Sequence, residues 1–274
     1  MKKFEGILLC TDLDGTLLRN DKSISKENLR AIDYFKQEGG LFTFVTGRPP
    51  MIVRDIYEAV NPNAPFGCNN GGGLFDHRTQ SYIWTQGLPQ DALELAMYAN
   101  EQIEGLGIQV NTFHHVYFCK ENSAMEHFRS VTGVPNLTCG LEEVTDPIAK
   151  ILFGDEREEA LQYLKELLDA HPRAREFDFI RSEKTLYEIL PRGIGKGTAI
   201  EKLVELLHID PQKTVAVGDY NNDVSMLRTA KLGIAVANAC PEAKAAADHI
   251  TVSNEEHAIA KIVEDLDRNI LTLD

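Results

Sequence analysis

The stretch Gly6-Ile7-Leu8-Leu9-Cys10-Thr11-Asp12-Leu13-Asp14-Gly15-Thr16 decides how the rest of the chain is read. Gly6 to Cys10 is a short apolar run, long enough for a buried strand. Asp12-Leu13-Asp14-Gly15-Thr16 follows it directly. In doubly wound sheets, ligands bind beyond the carboxyl ends of strands. In extended backbone Asp12 and Asp14 lean one way and Leu13 the other, into the core. Two carboxylates held so close repel unless a cation sits between them, and an oxygen-rich site of this kind suits Mg²⁺. Gly15 allows a tight exit from the strand. Taken alone, the pentapeptide also reads as an acidic turn capping a strand.

Outward from this point, strands and helices alternate. Ser25 caps a helix that Gly39-Gly40 ends, and Leu41 to Val45 is a second apolar strand. Pro49-Pro50 opens a further helix to about Val60. Near-continuous apolar strands between helices predict a parallel sheet covered on both faces. After about Asn70 the strands come in adjacent pairs, the first from Leu74 to Trp84 around a polar turn. This pattern runs to Leu190 and predicts an antiparallel sheet with helices on one face. Alternation returns with a helix from Lys196 to Leu207 and a strand from Thr214 to Val217. Leu203, Leu206 and Leu207 read as the buried face of that helix. The expected fold is α/β: a doubly wound, Rossmann-like parallel-sheet core (1–84 and 190–274) with an inserted α+β cap domain (85–189).

Composition narrows the partners. The 274 residues carry 28 Lys plus Arg against 42 Asp plus Glu, a formal net charge of −14. Such a chain lacks the basic patches that bind nucleic acid or anionic membranes. The N-terminal residues lack the apolar stretch of a signal peptide, and no run approaches the length of a transmembrane helix. The cysteines, Cys10, Cys68, Cys119, Cys139 and Cys240, are odd in number and form no C-x-x-C pair. They read as reduced thiols of a cytoplasmic protein.

Three further polar motifs lie at strand or helix ends. Thr46-Gly47-Arg48 follows the second strand, where a hydroxyl and backbone N–H groups at a helix start would cradle phosphate. Arg48 reads equally as a brace for the turn or as an exposed residue. Gly193-Ile194-Gly195-Lys196-Gly197-Thr198 heads a helix but is not a Walker A loop, since Gly197 follows the lysine. A lysine there opposes the helix dipole, so something anionic should compensate Lys196. Gly218-Asp219-Tyr220-Asn221-Asn222-Asp223 places carboxylates and amides after the strand that ends at Val217.

These motifs, in this order, resemble those of the haloacid dehalogenase superfamily of phosphohydrolases. The inserted segment looks like the type II cap of its Cof-type sugar-phosphate phosphatase branch. The resemblance implies that Asp12 is the nucleophile forming an aspartyl-phosphate, and that Asp14 is general acid and then base. It implies phosphate binding by Leu13, Thr46, Gly47, Lys196 and Asn222, with Lys196 balancing charge at the nucleophile. It implies Mg²⁺ held by Asp12, Asp219 and the backbone carbonyl of Asp14, with Asp223 and Arg48 in support. The activity expected is Mg²⁺-dependent hydrolysis of small phosphomonoesters, such as sugar phosphates or phosphorylated cofactors, under a closing cap. A phosphomutase and a silent metabolite-sensing module are the alternatives. The expected assembly is a monomer or weak homodimer.

Asn69-Asn70-Gly71-Gly72-Gly73 departs from the branch's Asn-Gly-Ala, and Gly72 is expected to loosen the hinge toward the cap. His114-His115 reads as a solvated turn, Arg181 and Lys184 as surface residues, and Trp84 as packing near the cap linker.

Overall fold

The computed structural model describes residues 2–273. Along the chain, β1 (Leu8–Thr11), α1 (Lys26–Gln37), β2 (Leu41–Phe44), α2 (Arg54–Val60), β3 (Phe66–Cys68), β4 (Gly73–Asp76) and β5 (Ser81–Thr85) come first. They are followed by α3 (Leu93–Gln102), β6 (Gly107–Thr112), β7 (Val116–Lys120), α4 (Ser123–Thr132), β8 (Leu137–Thr138), β9 (Ile148–Gly154), α5 (Glu158–Asp169), β10 (Phe177–Glu183) and β11 (Leu186–Pro191). The remainder is α6 (Lys196–Leu207), β12 (Thr214–Gly218), α7 (Val224–Thr229), β13 (Leu232–Ala235), α8 (Pro241–Ala246), β14 (His249–Ile250) and α9 (Ala258–Asp267). None of the described helices is long and apolar enough to cross a membrane.

Contacts divide these elements into two compact units. Unit 1 holds residues 2–47, 53–84 and 195–273; unit 2 holds 48–52 and 85–194. Unit 1 is built on a five-stranded sheet in the order β14-β13-β12-β1-β2, every pairing parallel. Leu8, Leu9, Cys10, Val215, Ala216 and Val217 are all fully buried, as strands covered on both faces require. Ser25 caps α1 by accepting the Asn28 N–H at 3.1 Å. The chain leaves β1 toward β2 on one side, while β12 lies on the other. The carboxyl end of β1 is therefore a topological switch point, where crevices form in such sheets. Beside this sheet, β3, β4 and β5 form a small sheet of their own.

Unit 2 is a six-stranded sheet in the order β10-β11-β9-β6-β7-β8. It is antiparallel except at β7–β8, which pair in parallel. Helices α3 and α5 pack on one face through Ala96, Ala99, Leu161 and Leu164, against Val110, Ile151 and Phe153. The intervening Leu152 points to the other face and packs with Met125 of α4. Helices thus lie on both faces, not on one as the paired strands suggested. Ile52 packs with this second cluster, within unit 2.

One expected core residue is misplaced. Leu203 is buried and Leu207 partly buried, but Leu206 is 45% exposed. Positions 203 and 207 share a stripe four residues apart; 206 falls off its edge.

Candidate active site

Four loops of unit 1 meet beyond the carboxyl end of β1. Asp12 continues β1, its N–H donating to the Val217 carbonyl at 2.8 Å. Val45 continues β2 in the same way, donating to Thr11 at 2.9 Å. Parallel register thus sets Asp12, Thr46 and Asp219 at the ends of adjacent strands.

Lys196 is the hub. It opens α6 at 1% exposure, and its Nζ donates to Asp12 Oδ1 at 2.6 Å and to Asp223 Oδ1 at 2.5 Å. The anion that a lysine at a helix start demands is therefore supplied twice. Burial works against the ammonium's charge, but Asp12 and Asp223 together hold its pKa above the ordinary value. Asp223 is fully buried, and its second oxygen accepts the N–H groups of Asp219 (2.8 Å) and Tyr220 (3.0 Å). That carboxylate shapes the loop after β12 while it holds the lysine.

Asp12, Asp219 and Asp223 each turn an oxygen to one place, the three atoms within 4.8 Å of one another. Three carboxylates around one lysine leave negative charge in excess. Burial pushes the Asp12 carboxyl well above its ordinary pKa, against the pull of Lys196. Burial also raises Asp219, reinforced by Asp223, to about 7. Burial and mutual repulsion disfavour the joint ionisation of these carboxylates, a cost that a cation would relieve, so the donor set fits a hard divalent ion with oxygen ligands.

The glycine after Asp14 has a spatial reason. Gly15 has φ +81°, and a Cβ there would lie 2.5 Å from Asp219 Oδ2. Asp219 occupies the space a side chain would need. Its other oxygen accepts the Thr16 hydroxyl at 2.6 Å. Leu13 is fully buried, as the strand alternation predicts, and Asp14 accepts the Lys22 ammonium at 2.8 Å.

The phosphate cradle expected at Thr46-Gly47-Arg48 takes a different form. The Thr46 N–H donates to Gly67 at 2.9 Å, and its carbonyl accepts the Asn70 N–H at 3.1 Å. Helical structure opens at Pro50 as a 3₁₀ turn (Pro50–Ile52) and continues as α2 from Arg54 to Val60. Arg48 and Pro49 each precede a proline, which disfavours the helical conformation. Arg48 itself belongs to unit 2.

Asn222, 8% exposed, donates to Asn70 Oδ1 at 3.0 Å. The Asn69–Gly71 turn is buried between β3 and β4, and the crossing into unit 2 comes only at Thr85. Gly72 has ordinary helical φ/ψ in this turn, a conformation open to alanine as well. Gly71 is the constrained position: φ is +92°, and its Cβ would overlap the Gly195 carbonyl just before Lys196. Three residues of this site carry no role in the sequence reading: Thr16 on Asp219, Asn70 on Asn222, and Asn238, which donates to the Gly15 carbonyl at 2.8 Å. Thr16 and Asn70 sit inside quoted motifs. Asn238 follows an unremarkable strand and has no local signal.

The remaining candidates lie in unit 2, apart from Trp84. His115 Nδ1 and the Tyr117 hydroxyl both meet Asp146, at 2.9 and 3.2 Å. Arg181 pairs with Glu158 at 2.8 Å and bonds the Lys184 carbonyl. Trp84 packs partly buried against the unit 1 core.

A parallel sheet with acidic loops at its switch point marks a class of α/β enzymes, and comparison with known proteins makes the class specific. The sequence model of the haloacid dehalogenase-like hydrolases matches residues 9–263. The chain belongs to that family. It is 26% identical over 264 residues to the 5-amino-6-(5-phospho-D-ribitylamino)uracil phosphatase YitU of Bacillus subtilis (strain 168), covering 94% of this chain and 96% of that protein. Among solved structures, the HAD subclass IIB sugar phosphatase BT4131 superposes with TM-score 0.85 at 24% identity, covering 97% of this chain and all of that one. TM0651 from Thermotoga maritima superposes with TM-score 0.79 at 24% identity, covering 94% and 96%. These two likenesses show the fold.

Proposed function

We propose that the protein is a cytoplasmic Mg²⁺-dependent phosphatase of small phosphomonoesters, with phosphorylated sugars or cofactors as its substrate class. The observation that carries this reading is Lys196 bridging Asp12 and Asp223, with Asp219 completing a three-carboxylate cluster. Relatives named as phosphatases along nearly the whole chain support it.

In the proposed reaction the Asp12 carboxylate attacks phosphorus and the bond to the ester oxygen breaks. Asp14 gives its proton to the departing alkoxide. Asp14, now ionised, takes a proton from water, which attacks phosphorus and releases inorganic phosphate and free Asp12. Dividing one slow hydrolysis between two displacements is what a covalent nucleophile contributes. Lys196 is fixed beside Asp12 before substrate arrives, so its charge needs no reorganisation during the reaction. The Thr46 hydroxyl, Gly47 N–H, Leu13 backbone and Asn222 amide are the proposed contacts for the phosphoryl oxygens.

Asp12, Asp219 and the Asp14 carbonyl would hold the metal. Asp223 is the weaker ligand candidate, since its two oxygens already serve Lys196 and two N–H groups. When bound, Mg²⁺ supplies positive charge that offsets the transferring phosphoryl group.

The test is phosphate release across a panel of phosphate esters, without a sugar bisphosphate activator. Asp12→Asn and chelation should each abolish it. Undiminished release by folded Asp12→Asn would sink the mechanism, and dependence on a bisphosphate activator would indicate a mutase.

A further inference from the structure

Cys119 and Cys139 are remote in sequence and adjacent in unit 2. Strand β7 pairs with β8 in parallel, Tyr117 opposite Leu137 and Phe118 opposite Thr138. The next residue is Cys119 on β7 and, just past the end of β8, Cys139. Side-chain alternation sends Val116 and Phe118 to the α4 face. Tyr117, Cys119 and Cys139 pack instead against the cluster under α3 and α5. The two thiols therefore share a face on neighbouring segments of the sheet. Adjacent strands run about 4.7–4.9 Å apart, inside the roughly 4.4–6.8 Å Cα spacing that a disulfide accepts. Both thiols are partly exposed, whereas Cys10 and Cys68 are buried in unit 1.

We propose that Cys119 and Cys139 form a reversible disulfide site, oxidised by a low-molecular-weight disulfide, which fastens β8 to β7. The thiolate is the attacking species. Burial pushes the Cys119 thiol up to about 12. Burial also raises Cys139, while the neighbouring Cys119 thiol acts in the opposite sense. Cys139 therefore reacts first. Its sulfur attacks one sulfur of the small disulfide; that S–S bond breaks, and one small thiolate leaves and takes a proton. Cys119 loses its proton to solvent and attacks the Cys139 sulfur, expelling the second small thiol. Two protein thiols are oxidised by two electrons, and one small disulfide is reduced to two thiols.

The bond would close a loop that contains all of α4. In the thiol form, β8 is an exposed edge strand of two residues. In the disulfide form, the segment after α4 is tied covalently to the sheet, so its opening is suppressed.

The experiment uses the full chain with glutathione disulfide, alkylation of remaining thiols and peptide mapping. The expected product is a Cys119–Cys139 linked peptide, lighter than the two reduced peptides by two hydrogens and restored by dithiothreitol. Cys119→Ser should accumulate glutathione on Cys139; Cys139→Ser should form neither the link nor a comparable adduct. Backbone amide exchange across 121–138 should slow in the oxidised protein. A wild-type chain that keeps glutathione on Cys139 while Cys119 stays alkylatable overturns the proposal. So does a chain in which both thiols stay unmodified, or one that links either to Cys240. A link that leaves amide exchange unchanged overturns the fastening of β8. If a serine variant fails to fold, the wild-type peptide map decides alone.

Discussion

Each unit buries a lysine against carboxylate, and the two sites differ in stoichiometry. In unit 2, Lys150 of β9 meets Glu188 of β11 at 2.8 Å, with side chains 3% and 2% exposed. In unit 1, Lys196 meets Asp12 and Asp223, with Asp219 close behind. One to one is the arrangement of a buried ion pair that holds a sheet in register. Three to one is an arrangement left incomplete by the protein itself. The difference separates a lysine that neutralises from one that positions, and the excess charge in unit 1 is a demand for a cation.

Replacing each lysine breaks the comparison most directly. Lys196→Met should lower phosphate release by a factor of about 10³ or more, since it removes preorganised charge beside the proposed nucleophile Asp12. A comparable loss in folded Lys150→Met, measured on a simple aryl phosphate, would erase the distinction. The expected cost of Lys150→Met is in stability, about 3–5 kcal/mol in urea unfolding, because the buried Glu188 carboxylate loses the Lys150 ammonium. Adding Glu188→Met should recover most of it. No such double replacement should rescue Lys196.

The third effect is smaller and tests the excess charge. Saturating Mg²⁺ at about a hundred times its Kd should add about 2.7 kcal/mol to unfolding, read as a rise in Tm. Asp219→Asn should remove that rise, and unit 2 offers no equivalent metal response.

Protons sharpen the same point. Asp219 is raised to about 7, so below that pH a bound proton must leave before metal enters. Mg²⁺ affinity, measured by titration calorimetry, should weaken as pH falls from 8 to 6, by up to about tenfold per unit below 7. Without metal the sign reverses for stability. A carboxyl raised in the folded state favours folding less as pH climbs from the unfolded value near 4 toward 7. The smallest effect lies outside both sites: exposed Leu206→Ala should change stability by less than about 0.5 kcal/mol, whereas Leu203→Ala should cost about 2–5 kcal/mol.

Much of unit 1 was legible because its information is local. Apolar runs announce β1 and β12, and polar residues at their ends announce Asp12, Asp219 and Asp223. The dipole argument at Lys196 foretold an anion without naming it. What escaped the sequence lacks local pattern. Two-residue β8 is too short to show a period, and its parallel pairing is invisible without the sheet. The placement of α4 depends on which side of β9 Leu152 points, a fact of register. The backbone partners of Thr46, Gly67 of β3 and Asn70 of the turn after it, lie more than twenty residues on and have no local signal. Residues 48–52 group with unit 2, although nothing in their composition marks a boundary.

The bond between Lys196 and Asp12 joins positions 184 residues apart. Ribosomes add roughly 5–20 residues per second, so roughly 10–40 s separate the birth of Asp12 from that of Lys196. Strand β1 waits as long for β12, its partner on one flank. Unit 2, contiguous but for Arg48–Ile52, is finished in that interval. The proposed hydrolytic centre is consequently among the last parts of the molecule to exist. A nascent or C-terminally truncated chain carries Asp12 without Lys196, Asp219 or Asp223, and so emerges silent.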